Sequence, residues 1–204
     1  DLSDFPVMSA EEAAEKIFDG ATIGFSGFTP AGAAKCLPRA LAKRAREIHE
    51  KGKPFKVRVL TGASTGKDLD ETLAQAEAIS WRAPYQSSKT LRKQMNSGEM
   101  DFVDMHLSHV PQTVAEGFFG KVDFAVVEAT EVTRDGRIYL SSSIGASPTY
   151  LKYAEKVIVE INHFHSPRVS EMADIFILPP PPHRSPIPIQ HPLSRIGHPY
   201  ASVD

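Results

Sequence analysis

Apolar positions along this chain alternate between a helical and an extended spacing. A capping box, Ser9-Ala-Glu-Glu12, opens the first helix: the serine hydroxyl accepts from the amide three residues on, whose carboxylate reaches back. Ala13, Ala14, Ile17 and Phe18 then share a face, and Asp19-Gly20 stops the helix before a short strand at 21–25. Leu37, Leu41 and Ile48 form the stripe of a second helix, with Pro38 tolerated in its first turn and Gly52 at its end. Val57 and Val59 alternate with Lys56 and Arg58 as a strand, and Leu69, Leu73 and Ala76 predict the next helix. Trp81 falls in a less regular stretch, followed by a short helix over 88–96, a strand within 100–107 and a helix over 111–119.

The run at 124–127 is apolar at every position, as in a strand covered on both faces. Asp135-Gly136 between Val132 and Ile138 signals a hairpin. Ser147-Pro148 opens a helix through Ala154, and 157–159 and 175–177 read as further buried strands. Alternating strands and helices without an internal repeat predict an α/β fold with a mainly parallel sheet and flanking helices. From Pro179 to Pro199 a four-proline run and Pro-Ile-Pro fix φ and remove donors, so a surface strap or linker is expected there.

The 204 residues, 41% hydrophobic and 24% charged, suffice for one ordinary core without disulfides or metals. A lone cysteine, Cys36, cannot close an internal disulfide, which points to a reducing, cytoplasmic setting. No stretch approaches about 18 uninterrupted apolar residues and no basic-then-apolar leader opens the chain, so neither a membrane span nor a signal peptide is expected. A net charge of −2 argues against a nucleic-acid binder. The start at Asp1 and the crowding of nine of the 16 prolines between Pro167 and Pro199 suggest a piece of something longer.

Parallel α/β sheets place their working loops at the carboxyl ends of strands. Three such loops here, 26–32, 61–66 and 141–147, are rich in Gly, Ser and Thr. Each leads into a helix whose free amides favour an anion or polarised carbonyl, although the same residues also make tight turns. Together the loops predict a shared cleft. Gly24, Gly27 and Gly32 do not give G-x-G-x-x-G; around Gly62–Lys67 the P-loop spacing fails, and Asp68 stands where a hydroxyl should ligate magnesium. His106 and His109, or His163 and His165, lack the supporting ligands of a metal site, and the first pair is expected to point to different sides of a strand end. No metal is predicted. Glu128 follows the apolar run and is read first as a hairpin-base residue paired with Arg134 or Arg137, second as a carboxylate at a cleft mouth. Cys36, near a helix start, is expected to be a small buried residue, the alternative being a thiol of lowered pKa.

Five ordered segments, 24–32 (GFSGFTPAG), 60–66 (LTGASTG), 127–130 (VEAT), 142–145 (SSIG) and 156–162 (KVIVEIN), resemble the N-terminal half of the acetyl-CoA hydrolase/transferase family, which includes the succinyl-CoA:acetate CoA-transferases among the class I CoA-transferases. The resemblance implies a NagB/RpiA/CoA-transferase-like fold, with residues 1–178 as the N-terminal domain and 179–204 as a strap toward a C-terminal catalytic domain. It implies a double displacement in which a glutamate attacks an acyl-CoA thioester to give an acyl-glutamyl anhydride. CoA thiolate then attacks that anhydride to form a glutamyl-CoA thioester, and a carboxylate or water completes the cycle. The family's nucleophile and main oxyanion donors match no residue here, so no catalytic residue is assigned.

What the resemblance carries over is one wall of a pocket for a small carboxylate and a thioester: Gly27, Phe28, Thr29, Pro30, Ala31 and Gly32 in the first loop, Ser64 and Thr65 in the second, and Ser87 after Trp81-Arg-Ala-Pro84. Arg195 matches a basic position near the start of the family's second half; it is read first as a surface salt bridge and second as a residue near the cleft or CoA. CoA esters are expected as substrates with no permanently bound cofactor, and a homodimer as the assembly. The competing reading is a stand-alone module that binds a small anion or CoA ester without covalent chemistry. A sugar-phosphate isomerase would need an acid/base carboxylate and a basic phosphate clamp, and neither is evident.

Overall fold

In the computed structural model, which describes residues 4–203, the capping box forms as its spacing dictates: the Ser9 hydroxyl accepts from the Glu12 amide, and the Ser9 amide donates to the Glu12 carboxylate at 2.8 Å. The helix it starts, α1 (Ala10–Glu15), buries Ala13 and Ala14. Then follow β1 (Thr22–Phe25), α2 (Cys36–Glu50) and β2 (Val57–Leu60). The next helical stretch opens as a wide π-turn, Lys67–Glu71, and continues as α3 (Thr72–Gln75). After it come β3 (Ile79–Ala83), α4 (Lys89–Asn96), β4 (Asp101–Phe102) and α5 (Val110–Ala115). The long β5 (Val122–Val132) turns at Asp135-Gly136 into β6 (Arg137–Leu140), and α6 (Ser147–Tyr153), β7 (Ala154–Ile161) and β8 (Ala201–Ser202) complete the order.

Among the described residues these strands make one sheet, β4-β3-β2-β1-β5-β6-β8, with β7 on β5. β1 to β5 and β7 run parallel, while β6 and β8 pair antiparallel. β5 outruns β1. Its Val126 and Glu128 carbonyls, on one edge, accept from the Ser26 and Ser141 amides, whereas Ala129, on the other edge, accepts from Asn162. The hairpin partner β6 therefore lies on the β1 side and brings the loop after it level with the end of β1.

Alternation along the strands sorts the core into two layers. Ile23, Phe25, Val57, Val59, Phe124 and Val126 face α1 to α4, while Leu60, Ala125, Val127 and Ala129 face α5 and α6. Burial on both faces is why 124–127 reads as unbroken apolar sequence. Gly24 lets α6 approach: a Cβ there would lie 2.4 Å from Cγ of the buried Tyr150. Burial pushes that phenol up, so it stays protonated and donates to the Thr61 carbonyl at 2.7 Å.

Five expectations need correction. The stretch around Trp81 is a strand, β3, in which Ile79, Trp81 and Ala83 alternate with Ser80 and Arg82; the alternation does not reveal that Arg82 is buried. Segment 100–107 keeps only two strand residues, and the helix expected over 111–119 ends at Ala115. Residues 175–177 make a single bridge, Ile175 to His198, rather than a buried strand. Val157 and Val159 are in a strand but only half-buried, since β7 pairs with β5 alone. The proline-rich stretch carries no helix or strand until Ala201 and Ser202 join β6.

Candidate functional site

The three loops meet at the carboxyl ends of β1 and β2. Loop 26–32 folds on itself, with the Phe28 amide donating to the Ala31 carbonyl at 3.0 Å and the Ser26 hydroxyl to the Gly32 carbonyl at 2.6 Å. Its tip exposes Phe28, Thr29 and Pro30, and Thr29 holds φ +57, a conformation a β-branched residue seldom adopts. Ala31 is half-buried, and its carbonyl accepts from the Ser143 hydroxyl of loop 141–147 at 2.8 Å. At Gly32, φ is +68 and a Cβ would fall 2.3 Å from Ser143 Oγ, so only glycine allows this contact. The second loop closes the group: a Cβ on Gly62 would lie 2.8 Å from the Gly27 carbonyl and 3.3 Å from Gly145 Cα. The three loops therefore meet as a junction of closely packed Gly-rich backbones.

Ser64 is half-buried, and its hydroxyl has no hydrogen-bond partner among the described residues. Thr65 is buried; its amide donates to Asp70 at 2.9 Å, while its hydroxyl and that of Ser147 are buried without a partner. Ser87 is exposed and adjoins Ser88, which caps α4 and donates to Glu71 at 2.5 Å. Bonds from Ser88 and Thr90 hold the Glu71 carboxyl below its ordinary value. This ties the start of α4 to the π-turn that follows the second loop. Arg195 lies elsewhere: its guanidinium donates to the Ala173 and Glu171 carbonyls at 2.6 and 2.7 Å, fastening the proline-rich stretch to the 3₁₀ turn Pro167–Met172. A groove of about 720 Å³ runs between α5, α6 and that stretch and touches the third loop at Ile144 and Gly145; the nominated loop residues and Arg195 do not line it.

Two buried charge centres support the loops, and sequence reasoning missed the role of both. Arg82 and Asp70 are each 1% exposed. Arg82 Nε and Nη2 donate to the two Asp70 oxygens at 2.8 and 2.9 Å, and Nη2 and Nη1 reach the Ala63 and Ala83 carbonyls. The pair thus props up both walls of the second loop. Glu128, 1% exposed, accepts from Lys35 Nζ at 2.6 Å, Ser141 Oγ at 2.6 Å and Asn162 Nδ2 at 3.2 Å, with His165 Nε2 3.5 Å away. Burial works to raise its carboxyl, but those bonds and the Lys35 charge win and hold it below its ordinary value. Neither expected arginine touches it: Arg134 pairs with Asp4 and Arg137 with Asp135. The one sequence signal for either centre is a charged residue in or beside a buried strand.

Other candidates resolve differently. The N-terminus of α2 is already occupied by Glu160, whose carboxylate accepts from the Lys35, Cys36 and Leu37 amides at 2.8 to 3.1 Å. Those amides do not await a ligand. Cys36 is exposed rather than buried, and burial of its sulfur followed by the Glu160 charge pushes the thiol up, not down. His106 and His109 stand with rings 5.5 Å apart because they sit on a 3₁₀ turn, which superposes residues three apart. Among the described residues no group of three His, Cys, Asp or Glu is placed to hold a metal ion, and no helix is long and apolar enough to cross a membrane.

Comparison with known proteins follows the same lines. A family model of the acetyl-CoA hydrolase/transferase N-terminal domain matches residues 4–187. The chain is 52% identical over 197 residues to propanoyl-CoA:succinate CoA transferase of Escherichia coli, covering 97% of this chain and 40% of that protein. It is 42% identical over 196 residues to succinyl-CoA:acetate CoA-transferase of Clostridium kluyveri, covering 96% and 36%. Acetyl-CoA hydrolase of Schizosaccharomyces pombe is 40% identical over 192 residues, covering 91% and 36%. The chain therefore spans 40% or less of the length of these relatives. Among solved structures, RipA from Yersinia pestis superposes with a TM-score of 0.62 at 23% identity, covering 80% of this chain and 38% of that one, which shows the shared fold.

Proposed function

On the premise that the chain belongs to the acetyl-CoA hydrolase/transferase family, we propose that it is the N-terminal domain of an acyl-CoA transferase or hydrolase and supplies one wall of its active site. Its relatives are CoA-transferases and acetyl-CoA hydrolases. Residues 1–178 form that domain and 179–204 the strap toward the remainder of the longer protein; residues 1–3 and 204 lie outside the described residues. CoA esters and small carboxylates are the substrates, the protein works in the cytoplasm, and the assembly is a homodimer. The nucleophilic glutamate, with the covalent glutamyl-CoA step, belongs to the part of the protein beyond this chain.

The observation that carries the reading is the meeting of the three loops, with the Ser64 hydroxyl free to bond a ligand. Residues 27–32, Ser64, Thr65 and Ser87 line the pocket for the carboxylate and thioester; Arg195 acts within the strap, held by the Ala173 and Glu171 carbonyls. A hydroxyl that donates to the developing oxyanion or to the bound carboxylate is worth roughly 3–4 kcal/mol at most. Steady-state kinetics of the full-length protein with Ser64→Ala and Ser87→Ala test this. Either kcat falls or KM for acetate rises; unchanged values for both variants remove these serines from the pocket. The chain alone does not turn over acetyl-CoA, and adding the complementary part restores activity.

A further inference from the structure

Glu128 bonds both the first and the third loop of the junction. Its amide donates to Ser26 Oγ at 2.9 Å, and that hydroxyl in turn donates to Gly32, closing the first loop at its two ends. Its carbonyl accepts from the Ser141 amide at 3.3 Å and its carboxylate from the Ser141 hydroxyl, which fixes the start of the third loop. The other carboxylate oxygen takes Lys35 Nζ, which also donates to the Ala33 carbonyl at 2.8 Å just past the first loop. Asn162 adds the end of β7.

We propose that Glu128 is the positioning residue of the substrate cradle: it locks loop 26–32 to loop 141–147, and so sets where the two loops meet a small carboxylate. The substrate part of this statement rests on the function proposed above; the lock itself rests on the bonds. An apolar side chain at this point, following the fully buried Val126 and Val127, would pack without desolvating a charge. What the carboxylate adds is connection, because its partners come from three separate segments. With both oxygens engaged and the side chain closed off from solvent, Glu128 is not placed to attack a thioester.

The test uses the full-length protein with Glu128→Gln and with Glu128→Gln/Lys35→Met, the latter removing the ammonium that the first change strands. Hydrogen–deuterium exchange is followed in residues 26–32 and 141–147, with 67–75 as reference, beside kcat and KM for a CoA ester and a small carboxylate. In the folded double variant both loops exchange about tenfold faster while the reference is unchanged. KM for the carboxylate rises about fivefold or more, and KM for the CoA ester stays within about twofold. The lock is refuted if the loops exchange as in the parent, or if exchange rises equally in the reference. The cradle role is refuted if the loops loosen and KM for the carboxylate does not move. A parent protein without transferase or hydrolase activity overturns the proposed function instead, and the exchange data still decide the lock. If the double variant does not fold, Ser141→Ala, which removes one arm and no charge, carries the same measurements.

Discussion

Removing one member of the Arg82–Asp70 pair tests how strongly the second loop depends on a buried charge. In Asp70→Leu the guanidinium loses both carboxylate oxygens at 2.8 and 2.9 Å in a site 1% exposed, and among the described residues no other anion bonds it. An uncompensated buried charge of this kind costs about 3–5 kcal/mol. Arg82→Met strands the carboxylate at a similar cost. The double variant behaves differently. The Ala63 and Ala83 carbonyls that Arg82 served keep other donors, the Thr61 hydroxyl and the Thr61 amide. Only the Thr65 amide loses its partner, at about 1–3 kcal/mol. Urea denaturation at neutral pH measures all four states. At about 2 kcal/mol per M, each single change lowers the midpoint by about 1.5–2.5 M, and the double change by less than either. Singles costing under about 1 kcal/mol, or a double equal to the sum of the singles, would refute the reasoning.

Glu160→Gln removes the anion from the start of α2 and costs about 1–2 kcal/mol, read as a lower thermal midpoint. The same change takes away one of the two main causes that raise the Cys36 thiol, so Cys36 alkylates faster at fixed pH; an unchanged rate contradicts the assignment. Because the folded carboxyl of Glu128 titrates below its ordinary 4.5, its contribution is complete above that value and fades as pH falls through the lowered one. The stability gap between the parent and Glu128→Gln/Lys35→Met therefore narrows from pH 5 to pH 3.5 in urea titrations, and a constant gap would contradict the lowered carboxyl.

Local chemistry was enough for much of this fold. A capping box, a helical stripe with proline in its first turn, a run of apolar residues and an Asp-Gly turn each impose their structure on a few neighbouring residues, and α1, α2, β5 and the β5–β6 hairpin appear where those signals stand. The ordered Gly-rich segments likewise marked the loops that meet. The resemblance they carry is matched by the family model. Tertiary structure decided the rest, because the deciding partners are far apart in the chain. Glu128 is bonded by Lys35, 93 residues away, and the cap of α2 comes from Glu160, 125 residues beyond the first amide it binds. Arg82 stands at a polar position of the β3 alternation and is nonetheless buried, and nothing near it in sequence names Asp70 as the partner. Charges declare their type in the sequence; whether a charge lies in water or locks two loops depends on which strands the sheet sets side by side.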